Sequence, residues 1–115
     1  MRRAVLALFL GAVAGCGPEV PFRLAVQRGG ALSRFSLVAA PGVRINARLK
    51  PALELEDGTV LRFDSPHLTE EKAYFADAPT LETPLRRAVH RGVVRASVCS
   101  TGEQVCRSFA VAVRF

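Results

Sequence analysis

The residues with the most distinctive chemistry in this 115-residue chain are its three cysteines. A cysteine thiolate can attack a disulfide, bind a metal ion or carry a covalent lipid. Cys99 and Cys106 stand seven positions apart near the C-terminus, whereas Cys16 directly follows an apolar N-terminal run. The three cysteines therefore divide into one pair and one separate thiol, and we expect different chemistry of the pair and of the separate thiol.

The N-terminus has the parts of a secretory signal. Two arginines follow the initiator methionine, and an apolar run of eleven residues occupies positions 4–14. As a helix this run covers about 16 Å, whereas a bilayer span needs about 20 residues. The pattern therefore predicts an export signal rather than a transmembrane anchor.

The residues that end this run, Val13-Ala14-Gly15-Cys16, resemble the lipobox of bacterial lipoproteins. The resemblance implies that residues 1–15 are removed as a lipoprotein signal peptide and that Cys16 carries a diacylglycerol. Residues 16–21 would then be a short linker that connects the lipid anchor in a bacterial membrane to the folded domain, which would face the periplasm. An ordinary signal peptide that contains a cysteine is the alternative interpretation.

Size, composition and charge exclude several classes of function. A chain of 115 residues, half of them hydrophobic, is one globular domain. Sixteen Lys and Arg against ten Asp and Glu give a formal net charge of +6, but the two signs are interleaved along the chain. A nucleic-acid surface combines a basic stripe with stacking aromatic residues, and aromatic residues are only 7% here. We therefore expect no nucleic-acid partner.

Apolar and polar residues alternate with a period of two, which predicts seven or eight short strands. The predicted strands are 21–27, 31–39, 43–47, 52–56, 59–63, 80–85, 92–99 and 106–115. Asp57-Gly58 is a hairpin signal, and residues 64–77 are polar and irregular, with a predicted helical turn at 69–72. Strands at this spacing predict an all-β fold, an antiparallel β-sandwich of immunoglobulin-like type over residues 22–115. A small barrel is the competing architecture.

The last two predicted strands position the cysteine pair. If Cys99 lies opposite Cys106, then Ala96 faces Phe109, so that apolar residues meet on the core face as the register rule requires. The cysteines then lie beside two serines on the opposite, more polar face. Directly opposed residues of antiparallel strands lie close enough for a disulfide. We therefore predict a Cys99–Cys106 bond that closes the end of a hairpin and leans towards solvent.

Two interpretations of this bond remain open. As a structural bond it pins the hairpin, and the loop-entropy relation gives at most about 2.5 kcal/mol for a loop of this length. As an exchange-active bond it can be attacked by the thiolate of another protein. Arg95 and Arg107 are expected near the pair and favour a thiolate, whereas Glu103 opposes it. Export is compatible with both the structural and the exchange-active interpretation, because a close pair of thiols outside the cytoplasm can persist as a disulfide.

Three segments, in order along the chain, carry a resemblance to a known family. They are Gly42-Val43-Arg44-Ile45-Asn46, then residues 53–66, then residues 94–99 followed by Cys106. They are similar to the Gly-Trp-His-Ile-Asn segment, the strand–turn–strand and the Val-x-Tyr-x-Ala-Cys…Cys hairpin of one family. That family is the N-terminal periplasmic domain of the thiol:disulfide interchange protein DsbD. The chain departs from the family pattern at three points. Arg44 stands where the family has His, Arg107-Ser108 replace the prolines that follow the second cysteine, and the chain contains no Trp.

This resemblance implies an immunoglobulin-like domain that passes reducing equivalents by thiol–disulfide exchange to thioredoxin-like oxidoreductases. The domain would be one component of a protein-disulfide reductase system, with a separate membrane electron donor. Cys106 would attack the partner, and Cys99 would resolve the mixed disulfide. A cap loop at residues 67–78 would cover the pair, with Tyr74 or Phe75 as the shield, unless these two fill the core. The alternative function is a non-catalytic envelope lipoprotein with a structural bond and a binding surface.

No other pattern in the sequence predicts a site. His90 with the cysteine pair would be an incomplete zinc set, and the single Met is the initiator, which leaves no axial copper ligand. Motifs of serine hydrolases, zinc proteases and phosphate-binding loops do not occur in the chain. We therefore expect no metal, no cofactor and no small-molecule substrate.

Overall fold

The computed structural model describes residues 20–102 and 105–115, and in them the chain forms eight β-strands and no helix. The strands are β1 (Phe22–Gln27), β2 (Ser33–Ala39), β3 (Val43–Ile45), β4 (Ala52–Leu55), β5 (Val60–Arg62), β6 (Thr80–Thr83), β7 (Arg91–Ser100) and β8 (Cys106–Arg114). All eight coincide with predicted strands, with ends that differ by one or two residues. The predicted signal peptide, Cys16 and Glu103 lie outside the described residues.

The strands form two antiparallel sheets that share one core. The three-stranded sheet has the order β1-β2-β6, and the five-stranded sheet has the order β3-β7-β4-β5 with β8 also paired to β7. β3 and β4 pair along one edge of β7, and β8 pairs along the other edge. This arrangement confirms the predicted β-sandwich and excludes the small barrel.

The core lies between the sheets and is built from alternate residues of the strands. Phe35 and Leu37 of β2, Leu53 of β4 and Val94 of β7 are all 0% exposed. Burial of each such side chain contributes about 1.5–3 kcal/mol, which fixes the face that each strand turns inward. Because Val94 faces the core, Cys99 lies on the outward face of the five-stranded sheet.

The predicted hairpin turn at Asp57-Gly58 joins β4 to β5. Gly58 has a φ of +93° and its N–H donates to the Leu55 carbonyl at 2.9 Å. A positive φ is open to glycine at no steric cost. The Asp57 carboxylate accepts a hydrogen bond from the Thr59 N–H at 3.0 Å. Hydrogen bonds from the backbone and then the side chain of Thr59 hold the pKa of Asp57 below its usual value.

The segment between β5 and β6 contains a β-turn where a helical turn is predicted. The Lys72 N–H donates to the Thr69 carbonyl at 2.8 Å, and Lys72 has a left-handed φ of 59°. The prediction of a helical turn at residues 69–72 is therefore wrong. After the turn the chain returns along β3, where the Phe75 N–H donates to the Ile45 carbonyl at 3.0 Å. This segment thus borders the strand that lies next to the cysteine-bearing β7.

Candidate functional site

Cys99 of β7 and Cys106 of β8 form the predicted disulfide, with Sγ atoms 2.04 Å apart and Cα atoms 3.9 Å apart. The two residues are direct partners in the β7–β8 register. The neighbouring rung is hydrogen-bonded, because the Ser100 N–H donates to the Val105 carbonyl at 3.0 Å. The cysteines therefore occupy a non-hydrogen-bonded pair, in which antiparallel strands approach most closely. The register predicted from the apolar residues is confirmed.

The two ends of the disulfide differ in exposure. Cys99 is 1% exposed, whereas Cys106 is exposed. β7 has paired strands on both edges, while β8, in the described part of the chain, pairs with β7 alone. The expectation that the bond leans towards solvent is therefore correct for Cys106 and wrong for Cys99. An incoming thiolate would meet the bond from its Cys106 side.

Arg44 is the β3 residue paired with Cys99. Directly paired residues place their side chains on the same face of a sheet, so Arg44 belongs to the row that contains the disulfide. Its guanidinium carbon lies 4.0 Å from the centre of the Tyr74 ring, and its Nη1 lies 3.6 Å from Oε1 of Glu71. Its Nε is buried and has no hydrogen-bond partner within residues 20–102 and 105–115. The buried half of the disulfide thus has a cationic residue as its neighbour in the sheet.

The two aromatic candidates for a shield lie on opposite faces. Phe75 is 7% exposed and belongs to the core between the sheets. Tyr74 forms a bridge with Asn46, and its ring stacks on Arg44 on the outward face. Phe75 is therefore a core residue, as the alternative interpretation expects. Tyr74 remains the shield candidate, because it covers the residue beside Cys99.

The arginines expected near the pair are not in its row. Arg95 lies on the outward face of β7, four positions from Cys99, where its Nη2 is 3.5 Å from Oε1 of Glu54. Arg107 follows Cys106 and pairs with Val98, so it lies on the other face of the sheet. In the sequence, Arg44 is distinctive only as a departure from a family motif. Its place beside Cys99 depends on the β3–β7 pairing, which joins distant segments of the chain.

A hydrogen-bonded cluster holds the base of the loop that carries Tyr74. The Asp77 carboxylate accepts a hydrogen bond from the Ser65 hydroxyl, and its Oδ2 lies 2.6 Å from Nδ1 of His67. Ser65 and then His67 hold the pKa of Asp77 below its usual value. The hydroxyl bonds to the carboxylate and not to the imidazole, so the cluster lacks the arrangement that activates a serine nucleophile. Its effect is to join the two ends of the loop.

A groove of about 480 Å³ lies on the same outward face. Ser97 and Ser108, the paired residues next to the cysteines on this face, belong to its lining. Leu49 and Val60, also in the lining, are 59% and 54% exposed. Strands β4, β5, β7 and β8 all contribute, so a local sequence pattern could not reveal the groove. The disulfide therefore adjoins an accessible surface that is partly apolar.

The described residues contain no group of three or more His, Cys, Asp or Glu side chains that could hold a metal ion. His90 lies at the opposite end of β7 from Cys99, with its Nδ1 3.2 Å from the Phe115 carbonyl oxygen. In residues 20–102 and 105–115 no helix is long and apolar enough to cross a membrane. No protein-family model, no curated protein and no solved structure matches this chain.

Proposed function

We propose that this protein performs extracytoplasmic thiol–disulfide exchange through Cys99 and Cys106, with thioredoxin-fold proteins as partners. The observation that carries the proposal is the one-sided exposure of the disulfide: Cys106 is exposed and Cys99 is 1% exposed. Thiolate attack requires access to one sulfur of the bond and a second sulfur that can leave. One-sided exposure defines both, with Cys106 as the point of attack and Cys99 as the leaving group.

The reaction consists of two exchange steps. A partner thiolate attacks Sγ of Cys106, forms an intermolecular disulfide, and releases Cys99 as a thiolate that takes up a proton. A second thiolate of the partner then attacks the partner's own sulfur in the mixed disulfide and releases Cys106. The released Cys106 thiolate also takes up a proton. The partner leaves with an internal disulfide, and the protein now has two thiols, which together hold the two electrons and two protons that it has gained. The same steps in reverse deliver these electrons to an acceptor disulfide.

A trapping experiment tests the assignment of the two cysteines. In a Cys16→Ser background, the Cys99→Ser variant leaves Cys106 as the one thiol. It should form a stable mixed disulfide with a thioredoxin-fold protein that keeps only its first active-site cysteine, supplied as the mixed disulfide with thionitrobenzoate. The thionitrobenzoate departs, and no partner thiol remains to reverse the reaction. Dithiothreitol should release the adduct, as seen by non-reducing and reducing electrophoresis. The Cys106→Ser variant is the matched control, and we expect its buried Cys99 to give little adduct. No adduct with Cys99→Ser, or equal adduct with both variants, contradicts the proposal.

Export and lipid anchoring belong to the same proposal and rest on the sequence around Cys16. Electrons would reach an exported disulfide from a membrane electron donor. In bacterial cells the wild-type chain should incorporate labelled palmitate and remain with the membrane fraction. The Cys16→Ser variant should do neither. Membrane association without label would instead contradict lipidation at Cys16.

A second candidate function is a binding module with a structural disulfide. The groove beside the bond favours it, because Leu49 and Val60 expose apolar surface there. The reduction potential separates the two functions. Structural bonds of exported proteins lie below about −300 mV, whereas exchange-active bonds lie higher. Equilibration with glutathione buffers and counting of free thiols measures this potential.

A further inference from the structure

Exchange at this disulfide creates a negative charge at a buried position. When Cys106 is attacked, the leaving group is the thiolate of Cys99, a residue that is 1% exposed. Burial disfavours a thiolate and raises the thiol pKa. A thiol of higher pKa is also a slower leaving group. Efficient exchange therefore requires a compensating group beside Cys99.

The elements around Cys99 offer one arginine in the same row. From β3, Arg44 pairs directly with Cys99, and from β8 the partner is Cys106. On β7 itself the nearest charged residue of this face is Arg95, which already lies 3.5 Å from Glu54. The described residues that follow β7, Thr101 and Gly102, carry no charge, and Glu103 of the same loop lies outside the described residues.

We propose that Arg44 is a positioning residue that stabilises the departing thiolate of Cys99 during exchange; this inference rests on the proposed function. Two observations support it: the direct pairing with Cys99, which puts both side chains on one face, and a buried Nε–H that has no hydrogen-bond partner among the described residues. A buried donor without a partner destabilises the folded state, because nothing replaces its lost hydration. A thiolate at Cys99 offers that side chain an acceptor that the disulfide does not.

Glu71 and Tyr74 hold Arg44 in place without neutralising its effect on Cys99. Glu71 is 53% exposed on its side chain and lies 3.6 Å from Nη1, so solvent screens this ion pair. The Tyr74 ring, 4.0 Å from the guanidinium carbon, covers Arg44 and attracts its charge without accepting its protons. The effective dielectric constant between Arg44 and a thiolate at the buried Cys99 would be lower than that between Arg44 and the exposed Glu71, so the interaction with the thiolate would be stronger.

Titration of the Cys99 thiol tests this inference independently of any partner. The full chain carrying Cys16→Ser and Cys106→Ala holds one thiol, and its thiolate absorbance is followed against pH. Removal of a neighbouring cation should raise the Cys99 pKa by at least about one unit in Arg44→Gln. Arg44→Lys should retain part of the effect. The matched control is Arg95→Gln, which should leave the Cys99 pKa unchanged.

Reduction kinetics of the intact disulfide complete the test. Dithiothreitol and a reduced thioredoxin should both reduce the Arg44→Gln protein several-fold more slowly than the wild type, with Arg95→Gln as the control. If Arg44→Gln changes neither rate nor Cys99 pKa, while the wild type still exchanges with thioredoxin, this inference is overturned and the proposed function stands. If Arg44→Gln raises the Cys99 pKa but thioredoxin never reduces the wild type, the proposed function is overturned. If Arg44→Gln does not fold, Arg44→Lys replaces it, and smaller changes of the rate and of the Cys99 pKa in the same directions are then expected.

Discussion

The environment of each cysteine follows from the strands on either side of it. Cys99 lies on a strand with partners on both edges, and Cys106 lies on β8, whose described partner is β7. The bond between them closes a short loop, so its loss should have a limited effect on stability. Replacing both cysteines by alanine should lower the free energy of unfolding by about 2–2.5 kcal/mol. Urea denaturation followed by circular dichroism measures this difference, and unchanged stability would contradict a bond that constrains the unfolded chain.

The hydrogen-bonded carboxylate of Asp77 makes a pH-dependent contribution to stability. Ser65 and then His67 lower its pKa in the folded state relative to the usual value of 3.8. A lowered folded-state pKa contributes stability above the unfolded value, and this contribution is lost as pH falls through the folded pKa. Asp77→Asn should therefore reduce the urea midpoint at pH 6, and the difference from wild type should shrink below about pH 4. A difference that stays constant between pH 6 and pH 3 would show that the carboxylate charge is unimportant.

Prediction at the residue scale succeeds where the interacting residues are close in sequence. The pairing of Cys99 with Cys106 follows from the alternation of two consecutive strands, because only one register buries Ala96 against Phe109. The burial of Cys99 depends instead on β3, which is distant in sequence. The place of Arg44 beside Cys99 depends on the same pairing, since a strand pattern places a residue on a face without identifying its neighbour in the sheet.

At the scale of elements, the β4–β5 hairpin depends on one glycine. Gly58 has a φ of +93°, and a Cβ at this position would meet no atom within 4 Å. The cost of a side chain is therefore conformational, and Gly58→Ala should destabilise the protein by about 1–2 kcal/mol. The matched control is Gly30→Ala, because Gly30 has equal space and no positive φ of this kind. Thermal unfolding should separate the two variants, and equal melting temperatures would contradict the requirement for glycine at the turn.

Strand positions are predictable here because each strand has one face in the core, which imposes alternation on the sequence. The segment that carries Tyr74 has no such constraint along its whole length. Its acidic residues favour a helical turn by local propensity, yet Lys72 adopts a left-handed φ of 59°. Pairing of Phe75 with β3 and burial of its ring override that propensity.

At the scale of the whole molecule, the β-sandwich follows from strand number and spacing, but the order of strands does not. The β3–β7 and β4–β7 pairings bring together distant parts of the chain, and local alternation is compatible with several such orders. This order determines the site, because it puts Arg44 beside Cys99 and joins four strands into the groove. The disulfide consequently lies on the outward face of a sheet and not between the sheets.

The excess of positive charge predicts how the proposed exchange depends on salt. The whole chain carries a formal net charge of +6 and stays basic after removal of the two arginines of the predicted signal. Attraction speeds association with an acidic thioredoxin-fold partner, and salt screens it as the Debye length falls from about 30 Å at 0.01 M to about 10 Å at 0.1 M. The second-order rate of reduction should therefore fall several-fold over this range. Stopped-flow measurements with dithiothreitol, whose reactive thiolate carries a single negative charge, provide the control, and its rate should change far less. Equal salt dependence for the two reductants would mean that the charge of the molecule has no part in selecting its partner.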